Sequence, residues 1–219
     1  QIRWLQLYER RGRSSPCLKA GVSAPKISMI TDKPNLREGM SLDDFLQLSH
    51  DQPFELIDGE KIDKMPPGLK HQVILRKIRR LLEDFAMFDN QLGEVFSENA
   101  FIIEKRRNWV KGSRIPDISF YVKSRIEGYM MDMPRIVPIV PDLIIEIISP
   151  TDRYDDIQLR TLFDLDNGAK VIWIIDPESR SAWVYTSDTN RPQRFGADGV
   201  LSAPDILPNF LLELSNLWA

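Results

Sequence analysis

The amino-acid sequence predicts an α/β domain with a mixed β-sheet flanked by helices, and three segments carry this prediction. Residues 142–175 read as strand, helix and strand, the order of two parallel strands joined by a crossover helix. The segment FELIDGEKIDKM alternates apolar and polar residues around Asp58-Gly59, which is typical of a β-hairpin. Residues 69–88 repeat apolar side chains at the spacing of one helix face. Together these patterns favour helices packed on the faces of a mixed sheet.

Shorter signals predict the other elements of the N-terminal half. In MSLDDFLQLS, Ser41 is expected to cap a short helix with Asp43 and Asp44 in its first turn. Gly93 precedes a predicted strand near EVFSENAFIIE. The basic segment KRRNWVKGSR is interpreted as a loop that leads into the strand IPDISFYV. The Pro- and Met-rich residues 124–141 are expected to form a long connection.

The C-terminal half begins with the apolar strand PDLIIEIISP, whose start Asp142 is expected to mark. Ser149 or Thr151 is expected to cap the following helix, which runs to about Asn167 and stops at Gly168. The segment KVIWIIDP is the next predicted strand, with SAWVYTS as its hairpin partner. The end of the chain, LPNFLLELSNLWA, is amphipathic.

Composition limits the class of protein. The 219 residues are 42% hydrophobic and 28% charged, which is ordinary for a soluble globular protein. No apolar run reaches the roughly 18 residues that span a bilayer. The single cysteine, Cys17, excludes an intrachain disulfide framework and favours a reducing, cytoplasmic location. Two histidines and one cysteine also argue against a structural zinc site.

Charge is distributed unevenly along the chain. The net charge is −3, yet residues 1–28 carry six Lys and Arg residues against Glu9. The rest of the chain is acidic, so any nucleic-acid contact is expected to be local. We expect residues 1–28 to be a basic extension, disordered or non-native, ahead of a single domain over residues 29–219. The alternative for the extension is a short docking helix built on Trp4, Leu5, Leu7 and Tyr8.

Two predicted strands carry an acidic residue where their pattern calls for an apolar one. Asp117 follows Pro116 in RIPDISFYV, and Glu146 lies at the centre of PDLIIEIISP. A buried carboxylate is costly unless it is paired or binds a metal, and two adjacent carboxylates repel each other. If the strands pair, a Mg²⁺ ion between the two acids resolves both problems, because Mg²⁺ prefers oxygen ligands. The backbone carbonyl of Ile147 is a third candidate ligand.

A purely structural interpretation of both acids is equally open on the residue pattern alone. In that interpretation Glu146 pairs with Arg153 or Arg160, and Asp117 only closes a turn after Pro116. The partners of the two carboxylates in the folded chain distinguish the two interpretations.

An ordered set of segments resembles a large bacterial family of restriction endonucleases, the Uma-two type. The set is FELIDGE, PPG with a following histidine, RIPDISFYV, PDLIIEIISPTDRYDD and NGAKVIWIIDP, and the resemblance runs from about residue 40 to 213. The family belongs to the PD-(D/E)XK nuclease superfamily. The resemblance implies a restriction-endonuclease-like core and hydrolysis of phosphodiester bonds in DNA.

The same resemblance implies the residues of the site. Asp117 and Glu146 correspond to the acids that hold Mg²⁺ or Mn²⁺ in such families. Glu55 resembles an additional acid near the site, although a solvated hairpin residue is an equally good interpretation. His71 matches a family histidine, for which a capping or core-edge role is favoured over catalysis. Superfamily members often act as dimers, so a homodimer is also expected.

One basic residue departs from the superfamily pattern. In the superfamily pattern a lysine lies two residues after the glutamate, where this chain has Ile148. The resemblance implies that in this family the lysine lies on the following helix instead, where this chain has Arg160. Arginine can hold a phosphate or stabilise negative charge, but it cannot accept a proton from water. The alternative is a surface ion pair of Arg160 with Asp156 and Asp164, four residues away on either side.

A basic run ahead of Asp117 is a candidate nucleic-acid contact, because positive charge beside a stackable aromatic side chain can follow a phosphate backbone. A solvated charge run is the favoured interpretation. The run surrounds Trp109 and comprises Lys105, Arg106, Arg107, Lys111 and Arg114.

Three functions therefore compete. The first is a Mg²⁺- or Mn²⁺-dependent endonuclease acting on DNA, with Asp117, Glu146 and Arg160 as its catalytic residues. The second is a catalytically weakened or inactive module of the same fold that binds nucleic acid or protein, because Arg160 replaces lysine. The third is a scaffold that oligomerises through its apolar C-terminal segment.

Overall fold

The computed structural model describes residues 39–106, 108–132, 136–189 and 191–218, without the side chains of residues 104–106. The predicted basic extension over residues 1–28, with its alternative docking helix, lies outside these ranges. No helix in the described ranges combines the length and the apolar character that crossing a bilayer requires.

Helices and runs of one or more strands follow one another along the described part of the chain. The helices are α1 (Leu42–Asp51), α2 (Leu69–Leu82), which continues as a π-helix over Glu83–Asp89, α3 (Lys123–Met130), α4 (Tyr154–Asp166) and a final 3₁₀ turn at Leu214–Leu217. The strands are β1 (Met40–Ser41), β2 (Phe54–Ile57), β3 (Glu60–Asp63), β4 (Gly93–Ser97), β5 (Phe101–Arg106), β6 (Trp109–Arg114), β7 (Ile118–Val122), β8 (Leu143–Ile147), β9 (Val171–Asp176), β10 (Ser181–Thr186), β11 (Gln193–Phe195), β12 (Val200–Ala203) and β13 (Leu207–Glu213).

Two sheets and a hairpin organise these strands. The central sheet has the order β11-β10-β9-β8-β7-β4, and β8 and β9 form its parallel pair. The second sheet has the order β1-β6-β2-β3, with β5 also paired to β6. Strands β12 and β13 form a separate antiparallel hairpin. The predicted mixed α/β architecture is confirmed, since the crossover from β8 through α4 to β9 supplies the parallel pair.

Several local predictions are confirmed for the expected physical reasons. The hydroxyl of Ser41 accepts a hydrogen bond from the Asp44 backbone N–H and caps α1. Asp58 and Gly59 adopt positive φ angles of 47° and 83°, which closes the β2–β3 hairpin. Gly168 has a φ of 110° just after α4, where glycine ends a helix without steric strain.

Three local predictions are wrong. Residues 109–114 form β6, the hairpin partner of β5, rather than a loop, because alternate residues of this basic segment pack inward. The first part of the connection predicted over residues 124–141 belongs to α3. Helix α4 begins at Tyr154 without a side-chain cap, since Asp152 instead accepts the Ser149 N–H and closes a turn before the helix.

The largest hydrophobic core lies between the central sheet and the elements that cover one of its faces. Apolar residues of α2, alternate residues of β7, β8 and β9, and the C-terminal segment pack into it. Phe210, Leu212 and Leu217 of that segment are buried there, so its apolar side is covered by the same chain. A smaller core under α4 contains Ile144 and Ile172 and covers the opposite face of the sheet. Glu146 projects from that second face, because side chains alternate along β8.

Candidate active site

Asp117 and Glu146 lie directly across from each other at the ends of two neighbouring strands. Strands β7 and β8 are antiparallel, and Ile118 pairs with Ile145. Continuing that register by one residue places Asp117 opposite Glu146, on the same face of the sheet. The sequence prediction that the strands pair and bring the two acids together is therefore confirmed.

A second cross-strand pair of charges lies in the other sheet. Leu56 of β2 pairs with Ser113 of β6, so Glu55 lies opposite Arg114. Only Ile115 and Pro116 separate Arg114 from Asp117 in sequence, and the chain passes from one sheet to the other over this short link. The link therefore brings the Glu55–Arg114 pair to the Asp117–Glu146 pair.

Arg114 is fully buried and holds three carboxylates. Its Nη1 donates to Glu55 Oε1, its Nη2 donates to Glu146 Oε1 at 2.6 Å, and its Nε donates to Asp164 Oδ1 at 3.1 Å. Glu55 Oε1 also accepts the backbone N–H of Ile115 at 2.9 Å. We call Arg114, Glu55, Glu146 and Asp164 the arginine cluster. Glu55 is thus a buried ion-pair partner, and its interpretation as a solvated hairpin residue is wrong.

One cation does not balance three buried acids. Burial raises the pKa of Asp164 to about 7 even though the charge of Arg114 lowers it. Burial also raises the pKa of Glu146, against the opposing charges of Arg114 and Lys64. Burial therefore makes the protonated forms of Asp164 and Glu146 more favourable than they would be in water.

Asp117 is held by neighbours on both of its carboxylate oxygens. Its Oδ2 accepts hydrogen bonds from His71 Nε2 at 2.9 Å and from the Ile147 backbone N–H at 2.7 Å. Its Oδ1 lies 3.6 Å from Lys64 Nζ. Lys64 follows β3, and His71 lies in the first turn of α2, so the segment between them brings both groups to the same carboxylate. We call Asp117, His71 and Lys64 the aspartate centre.

The charges of the aspartate centre shift the pKa values of its members in opposite directions. Burial alone would raise the pKa of Asp117, but the His71 hydrogen bond and the Lys64 charge hold it below its usual value. Burial alone would lower the pKa values of Lys64 and His71, but the nearby carboxylates raise both above their usual values. The ionised carboxylate beside a Lys64 ammonium is therefore the favoured state at neutral pH. His71 orients Asp117 through a hydrogen bond. It therefore contacts a site residue directly, whereas the sequence favoured a capping or core-edge position.

Arg160 reaches the vicinity of Glu146 from α4. Both residues line a cavity with an accessible volume of about 20 Å³, large enough for one water molecule. The guanidinium Nη2 of Arg160 lies 3.4 Å from Asp152 Oδ1, and its Nε donates to the Asp156 carbonyl at 3.2 Å. The alternative ion pairs with the side chains of Asp156 and Asp164 are absent from the described contacts, because Asp164 turns toward Arg114. The alternative in which Glu146 pairs with Arg153 or Arg160 is also wrong, because Glu146 pairs with Arg114.

The basic run is divided by the β5–β6 hairpin. Lys111 is exposed on β6, whereas Arg114 is fully buried in the arginine cluster. The prediction that Arg114 contacts a nucleic acid is therefore wrong, because its side chain points into the protein from β6. The side chains of Lys105, Arg106 and Arg107 lie outside the described residues.

The sequence predictions missed Lys64, Asp164 and the partners of Arg114. Lys64 could not be assigned to the site from the sequence, because it follows a hairpin that is distant in sequence from Asp117 and Glu146. Arg114 was assigned to a basic loop, although it lies on an alternating strand just three residues before Asp117. If residues 109–114 are read as a strand, Arg114 is predicted to lie close to Asp117 with its side chain directed inward.

The site's charges fit a divalent cation. When the carboxyl groups of Glu55, Asp117, Glu146 and Asp164 are ionised and His71 is neutral, these four negative charges outnumber the three nearby cations, Lys64, Arg114 and Arg160. Within the described ranges, no three His, Cys, Asp or Glu side chains form a metal-binding group. Mg²⁺, however, commonly uses one or two protein carboxylates and keeps several waters. The Ile147 carbonyl lies on the edge of β8 that faces Asp117, because the N–H of the same residue donates to that carboxylate.

Comparisons with known proteins agree with this fold. The chain is similar to the crystal structure of a putative nuclease belonging to DUF820 from Anabaena variabilis ATCC 29413, with a TM-score of 0.69 and 25% sequence identity. That similarity covers 82% of this chain and 97% of the other. No curated protein matches the chain. Residues 42–215 match the model of the Uma2 family, described as putative restriction endonucleases, and the chain therefore belongs to this family and has a restriction-endonuclease-like fold.

Proposed function

We propose that the protein is a metal-dependent endonuclease that hydrolyses phosphodiester bonds in DNA. One observation carries the proposal, namely the placement of Asp117 and Glu146 opposite each other at the ends of β7 and β8. Asp117, Glu146 and the Ile147 carbonyl would hold the cation, which is Mg²⁺ or Mn²⁺. Such an ion supplies Lewis acidity to the phosphate and lowers the pKa of a bound water.

The protein's own residues prepare the site for this cation. His71 and the Ile147 N–H fix Asp117 Oδ2, which orients the carboxylate before any ligand arrives. Arg114 holds one oxygen of Glu146 and thereby fixes the rotamer of that side chain. The buried carboxylates provide the excess negative charge that attracts a divalent ion. Arg160, at the edge of the same cavity, is positioned to stabilise developing negative charge, although it cannot take a proton from water.

A nicking assay on supercoiled plasmid with Mn²⁺ tests the proposal. Glu146→Gln is expected to reduce the nicking rate by at least about 100-fold, because a catalytic metal contributes several kcal/mol to the transition state. Glu213→Gln is the matched control, since Glu213 is exposed on β13 and distant in sequence from the site acids. Calorimetric titration with Mn²⁺ on the same three proteins is expected to show binding to the wild type and to Glu213→Gln alone. Equal nicking by wild type and Glu146→Gln would reject the proposal.

A non-catalytic nucleic-acid-binding module is the second candidate, and two observations favour it. Arg114 already occupies Glu146 Oε1 at 2.6 Å, and Arg160 replaces the lysine that the family resemblance places on α4. Arg160→Lys separates the candidates. An enzyme in which arginine suffices keeps its nicking rate within about tenfold on this change. A silent wild type whose activity appears in Arg160→Lys would support the second candidate.

The nucleic acid is expected to be DNA, and a homodimer would let two such sites cut two strands. Parallel assays on duplex DNA, single-stranded DNA and RNA of one sequence identify the substrate. Sedimentation over a wide concentration range determines whether the chain dimerises.

A further inference from the structure

The basic side chains of the site differ in how freely they can reach a substrate. Arg114 is 0% exposed and donates to three carboxylates, so its guanidinium is fully committed inside the protein. The Arg160 side chain is 14% exposed and is held by Asp152 and a helix carbonyl. The Lys64 side chain is 23% exposed, the largest fraction of the three.

The contact of Lys64 is also the loosest of the three. Its Nζ lies 3.6 Å from Asp117 Oδ1, beyond hydrogen-bond distance, so this contact is a charge interaction without a directed bond. A lysine ammonium carries three donors and can turn on its flexible stem toward a new acceptor. Its backbone is fixed, because the Lys64 N–H donates to the Pro53 carbonyl at the end of the hairpin. The backbone of Lys64 is therefore anchored by a hydrogen bond, whereas its contact with Asp117 imposes no directed bond on the ammonium.

Resting on the proposed function, we infer that Lys64 is the phosphate-binding lysine of this site and contacts a non-bridging oxygen of the phosphodiester held at Asp117 and Glu146. Lys64 reaches the site from the segment just after β3. Ile148, just after β8, and Arg160, on α4, occupy the positions where the superfamily pattern and the family resemblance place a lysine. An ammonium at this point can stay with Asp117 in the free protein and turn to the phosphate when substrate binds.

The charge balance around Asp117 agrees with this role. A metal ion held by Asp117 would neutralise that carboxylate, and the Lys64 ammonium would then be available for another partner. A phosphodiester brings one negative charge to the same place and restores a partner for the ammonium. Metal and substrate binding together thus convert an internal ion pair into a contact with the substrate.

The test combines cleavage and binding on wild type, Lys64→Met, Lys64→Arg and the matched control Lys61→Met. Lys61 lies on β3, three residues before Lys64, is exposed and bonds Asp63 rather than a residue of the site. In saturating Mn²⁺, Lys64→Met is expected to lower the single-turnover nicking rate about 100-fold, the loss typical of one charge-stabilising donor. Lys64→Arg is expected to recover at least about tenfold of that loss, since arginine also binds phosphate. Lys61→Met is expected to stay within about twofold of wild type.

Two further measurements do not depend on cleavage. Duplex DNA bound in Ca²⁺ is expected to lose about one unit of salt-dependence slope in Lys64→Met, as expected for one lost phosphate contact. Calorimetric affinity for Mn²⁺ is expected to be unchanged or tighter in Lys64→Met, because a competing cation beside Asp117 is removed. A lysine that only supports the structure would weaken Mn²⁺ binding instead.

The outcomes separate this inference from the proposed function. Wild-type nicking rates and an unchanged salt slope in Lys64→Met would overturn the inference while leaving the nuclease intact. A wild type that fails to nick, combined with a reduced salt slope in Lys64→Met, would reject the nuclease but retain the phosphate contact. A Mn²⁺ affinity that falls together with the nicking rate would also overturn the inference.

Discussion

The arginine cluster and the aspartate centre are neighbours, but their buried charges are balanced in different ways. In the arginine cluster, a fully buried guanidinium donates to three carboxylates, two of which have a raised pKa. In the aspartate centre, a single carboxylate with a lowered pKa contacts an ammonium and an imidazole. The two groups are linked electrostatically through Glu146, whose pKa responds to charges in both.

The difference indicates a division of roles. The arginine cluster joins β2, β6, β8 and α4 by directed hydrogen bonds, so its main effect is on the fold and on the orientation of Glu146. The aspartate centre keeps a partly exposed ammonium and a prepared carboxylate, so it is open to ligands. Removing groups from each side should therefore alter stability in one case and binding in the other.

Arg114→Met is expected to cause the largest loss of stability and tests the structural role of the arginine cluster. It leaves three acids buried without their common partner, and breaking a buried ion pair in this way costs about 3–5 kcal/mol. Arg79→Met, which removes an exposed pair with Glu83, should cost less than about 1 kcal/mol. Urea unfolding of the metal-free proteins measures both changes. A loss below about 1 kcal/mol for Arg114→Met would show that the arginine cluster is not structural.

Mn²⁺ should stabilise the folded protein through the ligand-binding side. Metal at 100 times its Kd is expected to raise the free energy of unfolding by about 2.7 kcal/mol, because the unfolded chain lacks the site. Glu146→Gln should abolish this increase, whereas the exposed-site change Glu213→Gln should retain it. Thermal unfolding with and without Mn²⁺ measures the effect, and equal stabilisation of all three proteins would contradict the assignment of Glu146 as a ligand.

His71→Phe should weaken Mn²⁺ binding by about 10- to 100-fold, the usual effect of losing a group that orients a metal ligand. The phenyl ring keeps most of the buried volume but cannot donate to Asp117 Oδ2. His50→Phe is the control, because the His50 side chain is 75% exposed and lies beside Asp51. Calorimetry measures both affinities. An unchanged affinity in His71→Phe would place His71 outside the function of the site.

The pH dependence of stability should show the smallest of these effects. Asp164 has a pKa of about 7 in the folded protein, well above the usual value of about 3.9 expected in the unfolded chain. The folded state therefore binds this proton more tightly, and the resulting stability is present below about pH 4 and lost as the pH rises to about 7. The raised pKa of His71 adds a loss in the same direction above its usual value.

The metal-free wild type should thus lose at least about 1 kcal/mol between pH 5 and pH 8, since one pKa unit corresponds to about 1.4 kcal/mol. Asp164→Asn should flatten this dependence, and Asp166→Asn, on the exposed side of the same helix, should leave it unchanged. Urea unfolding at a series of pH values measures the slopes. Equal slopes for wild type and Asp164→Asn would contradict the raised pKa.

The sequence predicted the parts of the site that depend on local pattern and strand pairing. Apolar runs located β7 and β8, and an acid within each run located Asp117 and Glu146. Their meeting followed once the two strands paired. The hairpin of β2 and β3 was predicted in the same way, because Asp58-Gly59 has a defined turn chemistry.

Long-range choices of partner could not be predicted. Glu146 had several arginines available, and the packing of two sheets selected Arg114, whose strand was concealed by its basic neighbours. Lys64 contacts Asp117 only because the segment after β3 returns to α2 beside the central sheet. Neither contact has a signal in local periodicity, since both depend on how separate elements pack.

The bonds of Arg114 also have a consequence for the order of folding. They reach residues 59, 32 and 50 positions away in sequence, in two different sheets and a helix. Contacts of such long range are expected to form late, after the strands on either side have paired. Weakening them should therefore mainly speed unfolding and leave the folding rate almost unchanged. The same arginine that fixes Glu146 would then set the lifetime of the folded chain.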